Sequence, residues 1–256
     1  MSDPLPPWQQ YLLNAGHSLT QGVLQLLYAN VCWGCGASLR PDQKHFCDTC
    51  RHTLTTDPLP SCPRCSSTVG PFSDIGDGCH ACRGQSFAFD RTLRLGPYEG
   101  ALRELVLKMK HHSGEVLAEL LGELWAEQLA PRLHGTAIDA VVPIPLHWWR
   151  RLGRGYNQSA TLARALSHRL RVPLHTGWLW RSRNTPRQTY QMSPEARRAN
   201  VRGAFRLGSG VDARGKTVLL VDDVMTTGAT ASEAARPLRS AGTAQLIVAV
   251  LAHGHG

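Results

Sequence analysis

The sequence predicts an α/β fold, a parallel β-sheet flanked by helices, preceded by a small cysteine-rich metal-binding domain. Two observations carry this. From about residue 87 onward, short apolar runs alternate with helical patterns, which is the mark of βαβ units and a parallel sheet. Upstream, all eight cysteines fall between Cys32 and Cys82 in four CxxC pairs. The chain of 256 residues is long enough for one or two domains at ~150 residues each. Three zones follow: 1–30 as an N-terminal helix, 31–86 as the cysteine-rich domain and 87–256 as the α/β domain. The net charge of +9 favours polyanionic partners, without choosing among phosphorylated small molecules, nucleic acid and anionic membrane.

In the first zone, Leu12, Leu19, Val23, Leu26, Leu27 and Tyr28 recur at helical spacing, so residues 8–29 read as an amphipathic helix packed on its own protein. Residues 2–7 carry Asp3 and three prolines and lack a basic stretch, so no secretory signal is expected. No uncharged apolar run approaches the ~20 residues of a membrane span. A reducing, cytoplasmic compartment without membrane insertion is the expectation.

The second zone is rich in Cys, Pro, Gly, Ser and Asp and poor in long apolar side chains, so it needs a staple to fold. The pairs Cys32/Cys35, Cys47/Cys50, Cys62/Cys65 and Cys79/Cys82 supply one. One CxxC turn places two thiolates on a tetrahedral ion and a second CxxC closes the shell. Eight thiolates thus match two zinc ions, and closed all-sulfur shells make them structural rather than catalytic. Sequential pairing is the simpler choice and interleaved pairing stays open.

In the third zone, Ala88–Gly96 reads as a strand and Gly100–Leu129 as one or two helices with a weak point at Ser113-Gly114. Ile138–Pro145 reads as a buried strand, Asn157–Leu170 as a helix and Gly177–Arg181 as a short strand. Pro194–Val201 reads as a short helix and Ala204–Leu207 as a strand. Lys216–Val221 is a buried strand, followed by a helix over about Ala229–Ala241 and a last strand over Ala244–Leu251.

The strand Val218-Leu219-Leu220-Val221 runs directly into Asp222-Asp223, then Val224-Met225 and Thr226-Thr227-Gly228-Ala229-Thr230 at the start of a helix. Small residues and a glycine let backbone N–H groups wrap a phosphate, threonine hydroxyls add donors and the helix N-terminus adds partial positive charge. Two adjacent carboxylates at a strand's carboxyl end can accept from a ribose diol, directly or through a divalent ion. Just upstream, Gly210–Thr217 fits G-x-x-x-x-G-K-T, the nucleoside-triphosphate loop. That motif needs a helix after it, and here a strand follows.

A basic loop follows the proline-flanked strand: Val142–His147, then Trp148-Trp149-Arg150-Arg151-Leu152-Gly153-Arg154-Gly155-Tyr156. Its arginines match phosphate oxygens and its glycines give mobility, as a lid over a pyrophosphate leaving group requires. A solvated loop or a nucleic-acid patch is the other reading. The basic run Arg181–Gln188 and Arg197–Val201 reads equally as a second wall of the anion site or as exposed surface.

The run Val218–Thr230 resembles the phosphoribosyl-pyrophosphate (PRPP) motif of type I phosphoribosyltransferases. That resemblance makes Asp222 and Asp223 the catalytic candidates, steadying the ribose hydroxyls. It assigns Val221, Asp222, Asp223, Val224, Met225, Thr226, Thr227, Gly228, Ala229 and Thr230 to PRPP, with Thr226–Thr230 on the 5′-phosphate. Ile144, Pro145, Leu146, Arg150, Arg151 and Arg154 would face pyrophosphate. Over residues 31–252 the chain also resembles the ComF (competence protein F) family, through the CxxC pairs, PIPLH…RRLGRGYNQ, RSRNTPRQ…RRANVRGAF and VLLVDDVMTTGAT. Tyr156 stands where that family more often has Phe. The resemblance implies a bacterial cytoplasmic protein with two structural zinc ions and a phosphoribosyltransferase domain using Mg²⁺ and PRPP or a related ribose phosphate. It also implies a link to natural transformation or DNA use, with DNA-uptake proteins as partners. No acceptor pocket can be read. The rival reading is a non-catalytic zinc protein binding single-stranded DNA, with Trp148-Trp149 and Trp178/Trp180 as its only stacking candidates.

Overall fold

A computed structural model describes residues 30–57, 59–76, 78–146, 155–183 and 194–254. The predicted helix over 8–29 lies outside them, as do Arg150, Arg151, Arg154 and Trp148-Trp149. The chain divides into two compact units, one ending at His52 and the other starting at Thr53. The first holds the Cys32–Cys50 segment, whose last turn leads into helix α1 (Asp48–Thr55). That helix was not foreseen.

The second unit contains β1 (Arg91–Pro97), α2 (Gly100–Met109), α3 (Glu115–Leu129), β2 (Ala140–Pro143), α4 (Gln158–Leu170), β3 (Leu179–Arg181), α5 (Pro194–Val201), β4 (Phe205–Leu207), β5 (Thr217–Met225), α6 (Ala229–Ser240) and β6 (Gln245–His253). The predicted α/β order is observed. Four strands form one parallel sheet in the order β1-β6-β5-β2. Leu174 adds a parallel bridge to Val141 at its edge. β3 and β4 form a separate antiparallel hairpin.

The helix predicted to weaken at Ser113-Gly114 is two helices. A Cβ on Gly114 would lie 2.6 Å from the Met109 backbone, so only glycine lets the chain fold back there. The strand predicted to end at Val221 continues to Met225. Its neighbour β6 also runs past the predicted Leu251, and the ladder extends to Met225↔His253. The two acids therefore sit inside the strand's last turn of pairing rather than after it. β1 begins at Arg91 rather than Ala88 because side chains take up the preceding backbone. Ser232 Oγ accepts from the Ala88 N–H at 3.0 Å, and Arg239 donates to the Ala88 carbonyl at 3.2 Å.

β5 and β6 are buried from Val218 to Val221 and from Leu246 to His253. Alternation gives them two apolar faces. Val218, Leu220, Leu246, Val248 and Val250 share one core with Ala231, Ala234, Ala235 and Leu238 of α6. Cys62, Cys65, Cys79 and Cys82 belong to that same core. α3 and α4 pack on each other, and α4 also packs on β2 and β5.

Arg94 on β1 is 1% exposed and donates to Asp57 through Nε at 3.0 Å and Nη2 at 2.7 Å, and to Thr68 through Nη1 at 2.9 Å. A buried cation that loses its partner costs about 3–5 kcal/mol. Asp57→Ala should therefore lower stability by about 3 kcal/mol in urea denaturation, and adding Arg94→Met should recover most of the loss. An Asp57→Ala loss below ~1 kcal/mol would show that this pair does not hold the strand.

Candidate functional site

The eight cysteines form two sets. Cys32, Cys35, Cys47 and Cys50 bring their sulfurs within 4.8 Å of one another, and so do Cys62, Cys65, Cys79 and Cys82. Individual separations are 3.8 Å for Cys35–Cys47, 3.7 Å for Cys62–Cys82 and 3.6 Å for Cys65–Cys79. A tetrahedron with Zn–S bonds of ~2.3 Å needs sulfurs about 3.8 Å apart, so both sets fit structural zinc. Pairing is sequential, and the interleaved alternative is excluded.

The two knuckles repeat one backbone design. Cys32 N–H donates to the Ala37 carbonyl and Cys62 N–H to that of Ser67, under matching bridges Val31↔Ser38 and Ser61↔Thr68. Burial works against ionising Cys32, but N–H groups of Cys47, Cys35 and Gly34 outweigh it and bring that thiol down to about 6. The same opposition brings Cys62 to about 7. The first cysteine of each knuckle is thus poised as the thiolate a metal requires. The fourth residue after each is in the left-handed region: Gly36 at φ 77° and Ser66 at φ 60°. Ser66 holds that conformation while its hydroxyl donates to the Thr92 carbonyl on β1 at 2.7 Å. This second knuckle is stitched to the sheet.

The second site lies at the carboxyl end of β5. Asp222 Oδ1 accepts from Ser159 Oγ at 2.9 Å and from the Asp223 N–H at 3.0 Å. Asp223 Oδ2 pairs with Lys110 Nζ at 3.1 Å. Burial, then the neighbouring Asp223 charge, pushes the Asp222 carboxyl up to about 7, against the Ser159 and Asp223 hydrogen bonds and the Lys110 charge. Burial works against the Lys110 cation, but the charge and hydrogen bond of Asp223 win and raise its pKa.

Past the acids the chain turns into the Thr226–Thr230 loop. Gly228, at φ 72°, is the N-cap of α6. A Cβ there would meet Phe87 Cε1 at 3.1 Å and Phe89 Cζ at 3.5 Å, so glycine is required by both conformation and space. The first N–H groups of α6 have no intrahelical acceptor and suit an anion. From α5, Arg197 is 6% exposed and donates to Thr226 Oγ1 at 3.3 Å. One of the two basic segments left open by the sequence therefore walls the loop.

The structure gathers most of the expected site residues. Ile144 N–H donates to the Val221 carbonyl at 2.8 Å, which places Ile144, Pro145 and Leu146 beside the acid pair. Among the flanks of the arginine loop, Tyr156 donates to the Met109 carbonyl, at the helix end that carries Lys110. The G-x-x-x-x-G-K-T decoy is consumed by the fold: Lys216 N–H donates to the Ala213 carbonyl and Thr217 N–H to Asp139. Lys110 and Ser159 were missed. The only sequence hint for Lys110 was its position just before the Ser113-Gly114 break, which returns the chain from the sheet's carboxyl edge.

A phosphoribosyl transferase domain model matches residues 157–256, and a double zinc ribbon model matches residues 23–86. The chain is 30% identical over 221 residues to competence protein F of Haemophilus influenzae, covering 85% of this chain and 94% of that protein. The chain belongs to the ComF family. Another relative, DNA utilization protein YhgH of Escherichia coli K12, is 30% identical over 226 residues, 87% of this chain and 96% of its own. A hypoxanthine phosphoribosyltransferase from Trypanosoma cruzi, solved with its product IMP, aligns over 54% of this chain and 65% of its own at 18% identity and a TM-score of 0.36. By the two domain models, the ComF-family chain joins a double zinc ribbon to a phosphoribosyltransferase-type α/β domain. No helix among its described residues is long and apolar enough to cross a membrane.

Three outcomes follow from this geometry. Because the folded Asp222 titrates above its unfolded value, its stability contribution is present at low pH and lost as pH rises through about 7. Asp222→Asn keeps the Oδ1 acceptor, so it should melt higher than wild type at pH 8 and match it only below about pH 4, under the ordinary carboxyl value; equal melting at both would contradict the shift. Gly228→Ala should cost at least about 1–2 kcal/mol in denaturant, from the left-handed backbone alone. A mild chelator should release zinc in two phases. The set with the exposed Cys35 should go first and the fully buried second set later; a single phase would count against that order.

Proposed function

We propose that the β5 site binds Mg²⁺–PRPP, or a related ribose 5-phosphate ester, as a phosphoribosyltransferase of pentosyl groups. The observation that carries it is the convergence of an acid pair, a glycine-capped threonine loop, a half-buried Lys110 and a buried Arg197 at one strand end. Each group has a task. The Thr226–Thr230 amides and hydroxyls take the 5′-phosphate. Asp222 and Asp223 accept from the ribose diol. Lys110 offsets the charge of two adjacent carboxylates, which would otherwise repel each other and resist the ribose orientation. The Ile144–Leu146 peptides and Arg150, Arg151 and Arg154 would face pyrophosphate.

The acid pair offers few free oxygens for a cation. Lys110 and the Val224 N–H occupy Asp223, and Ser159 and the Asp223 N–H occupy Asp222 Oδ1. Among the described residues the only groups of three or more metal-ligating side chains are the two cysteine sets. Such a site fits Mg²⁺ that arrives on the substrate's phosphates rather than in a protein cage. When bound, Mg²⁺ would neutralise pyrophosphate as it leaves the ribose C1. The protein's share is to hold the ribose, keep the phosphate fixed and aim C1 at the incoming nucleophile. The names of the relatives, competence protein F and DNA utilization protein YhgH, support a role for this activity in competence or DNA use, and a cytoplasmic setting is part of the proposal.

A second reading has one observation behind it. Trp180 is 50% exposed and faces Arg206 across the β3–β4 hairpin. An exposed aromatic beside arginines can stack a base of single-stranded DNA. A salt series separates the readings. A steep salt slope for DNA binding that survives Asp222→Ala and Asp223→Ala would assign DNA to a separate surface.

Thermal melting with millimolar Mg²⁺–PRPP should raise the transition temperature, by about 2.7 kcal/mol of stability at a hundredfold excess over Kd. No shift at any concentration would overturn PRPP binding. Lys110→Met should weaken PRPP at least about tenfold while leaving zinc content at two per chain. Unchanged affinity would remove Lys110 from the site.

A further inference from the structure

The second cysteine set and the phosphate loop are joined by a short strap, residues 82–89. Arg64, inside the CPRC knuckle, donates through Nη1 to the Cys82 carbonyl at 3.0 Å and through Nη2 to the Gln85 carbonyl. Its guanidinium lies over the Phe87 ring, 5.3 Å from the centroid. Phe87 stacks on Phe89 with centroids 4.6 Å apart and planes 10° apart. The edges of both rings fill the place a side chain on Gly228 would take, beside the residue whose left-handed conformation turns the loop into α6. Two further bonds fasten the strap: the Ala88 N–H donates to Ser232 Oγ in the first turn of α6, and Arg198 donates to Gln85.

We propose that Arg64 and Phe87 are positioning residues through which the second metal centre sets the shape of the phosphate loop. The physical reason is the loop's own composition. Thr226-Thr227-Gly228-Ala229-Thr230 has no large apolar side chain to anchor it, and Gly228 carries the conformational freedom of any glycine. Its amides serve a phosphate ester only if they are held convergent beforehand. The rings of Phe87 and Phe89 supply the missing anchor from outside. Arg64 fixes Phe87 through a cation–π contact and two carbonyls of the strap. Arg64 in turn is placed by its neighbours Cys62 and Cys65, and Cys82 terminates the strap itself. Metal at this centre therefore tethers both ends of the contact. A Cβ at Gly78 would meet Cys82 Sγ at 2.7 Å and Arg64 Cδ at 3.6 Å, which shows how closely the knuckle and the strap are packed. The consequence is that this zinc is more than a fold staple: it belongs to the anion site although no sulfur faces the ligand.

Amide hydrogen exchange on the full chain, without PRPP, tests this separately from ligand binding. Phe87→Ala and Arg64→Met are compared with wild type, with zinc content measured on each. Both variants should retain two zincs and show exchange at Thr226–Ser232 about tenfold faster or more, while α4 (Gln158–Leu170) keeps its wild-type protection. The milder Phe87→Leu should fall between. Unchanged protection at Thr226–Ser232 in both variants would overturn the proposal. So would an equal rise in α4, because that would be global destabilisation.

Discussion

β5 is hydrogen-bonded in parallel on both sides, to β2 from Ala140↔Val218 to Pro143↔Val221 and to β6 from Thr217↔Gln245 to Met225↔His253. Everything functional in the second unit depends on that arrangement. Over Val218–Val221 the strand has neighbours on both sides and no free edge, and β6 alone carries the ladder on through the acids to Met225. That pairing fixes what the strand carries at its carboxyl end: two carboxylates and the turn into a helix. Ligands of open parallel sheets bind at this end of the strands because the connecting loops and helix N-termini meet there. The same strand supplies the core, with Val218 and Leu220 on the α6 side.

The acid pair is the expensive part of this design. Two adjacent, partly buried carboxylates oppose folding, and the structure answers with Lys110, Ser159 and a backbone N–H. The N–H belongs to Asp223 itself, but Lys110 and Ser159 are both distant from Asp222 in sequence. They arrive from the end of α2 and the start of α4, which converge because both helices connect to strands of the same parallel sheet. The turn at Gly228 is likewise held from outside, where aromatic rings close over a left-handed glycine. Sites that oppose folding locally and are compensated from elsewhere are where function concentrates.

Much of this was legible in the residues. The βαβ alternation, the CxxC spacing and the Val218–Thr230 run are local patterns, and local patterns report on local physics. Element positions followed within a few residues except where a partner extended a ladder, as β6 did for β5. The zinc pairing was not legible, because spacing alone fits either arrangement; three-dimensional proximity of the sulfurs decided it. Lys110 was invisible for a different reason. A lysine near a helix end is an ordinary surface residue until the fold brings a carboxylate to it. Arg197 lay in a segment that fitted an anion wall and an exposed face equally well, and burial against Thr226 separated the two. Helix α1 was missed because its sequence, Asp48–Thr55, has a weak apolar stripe, with Leu54 its one buried residue.

The most direct test of a ribose-phosphate site is a crystal structure of the chain with Mg²⁺–PRPP. The 5′-phosphate should lie on the Thr226–Thr230 amides and the ribose diol on Asp222 and Asp223, with Lys110 still against Asp223. PRPP bound at another surface, or crystals soaked to saturation with this loop empty, would contradict it.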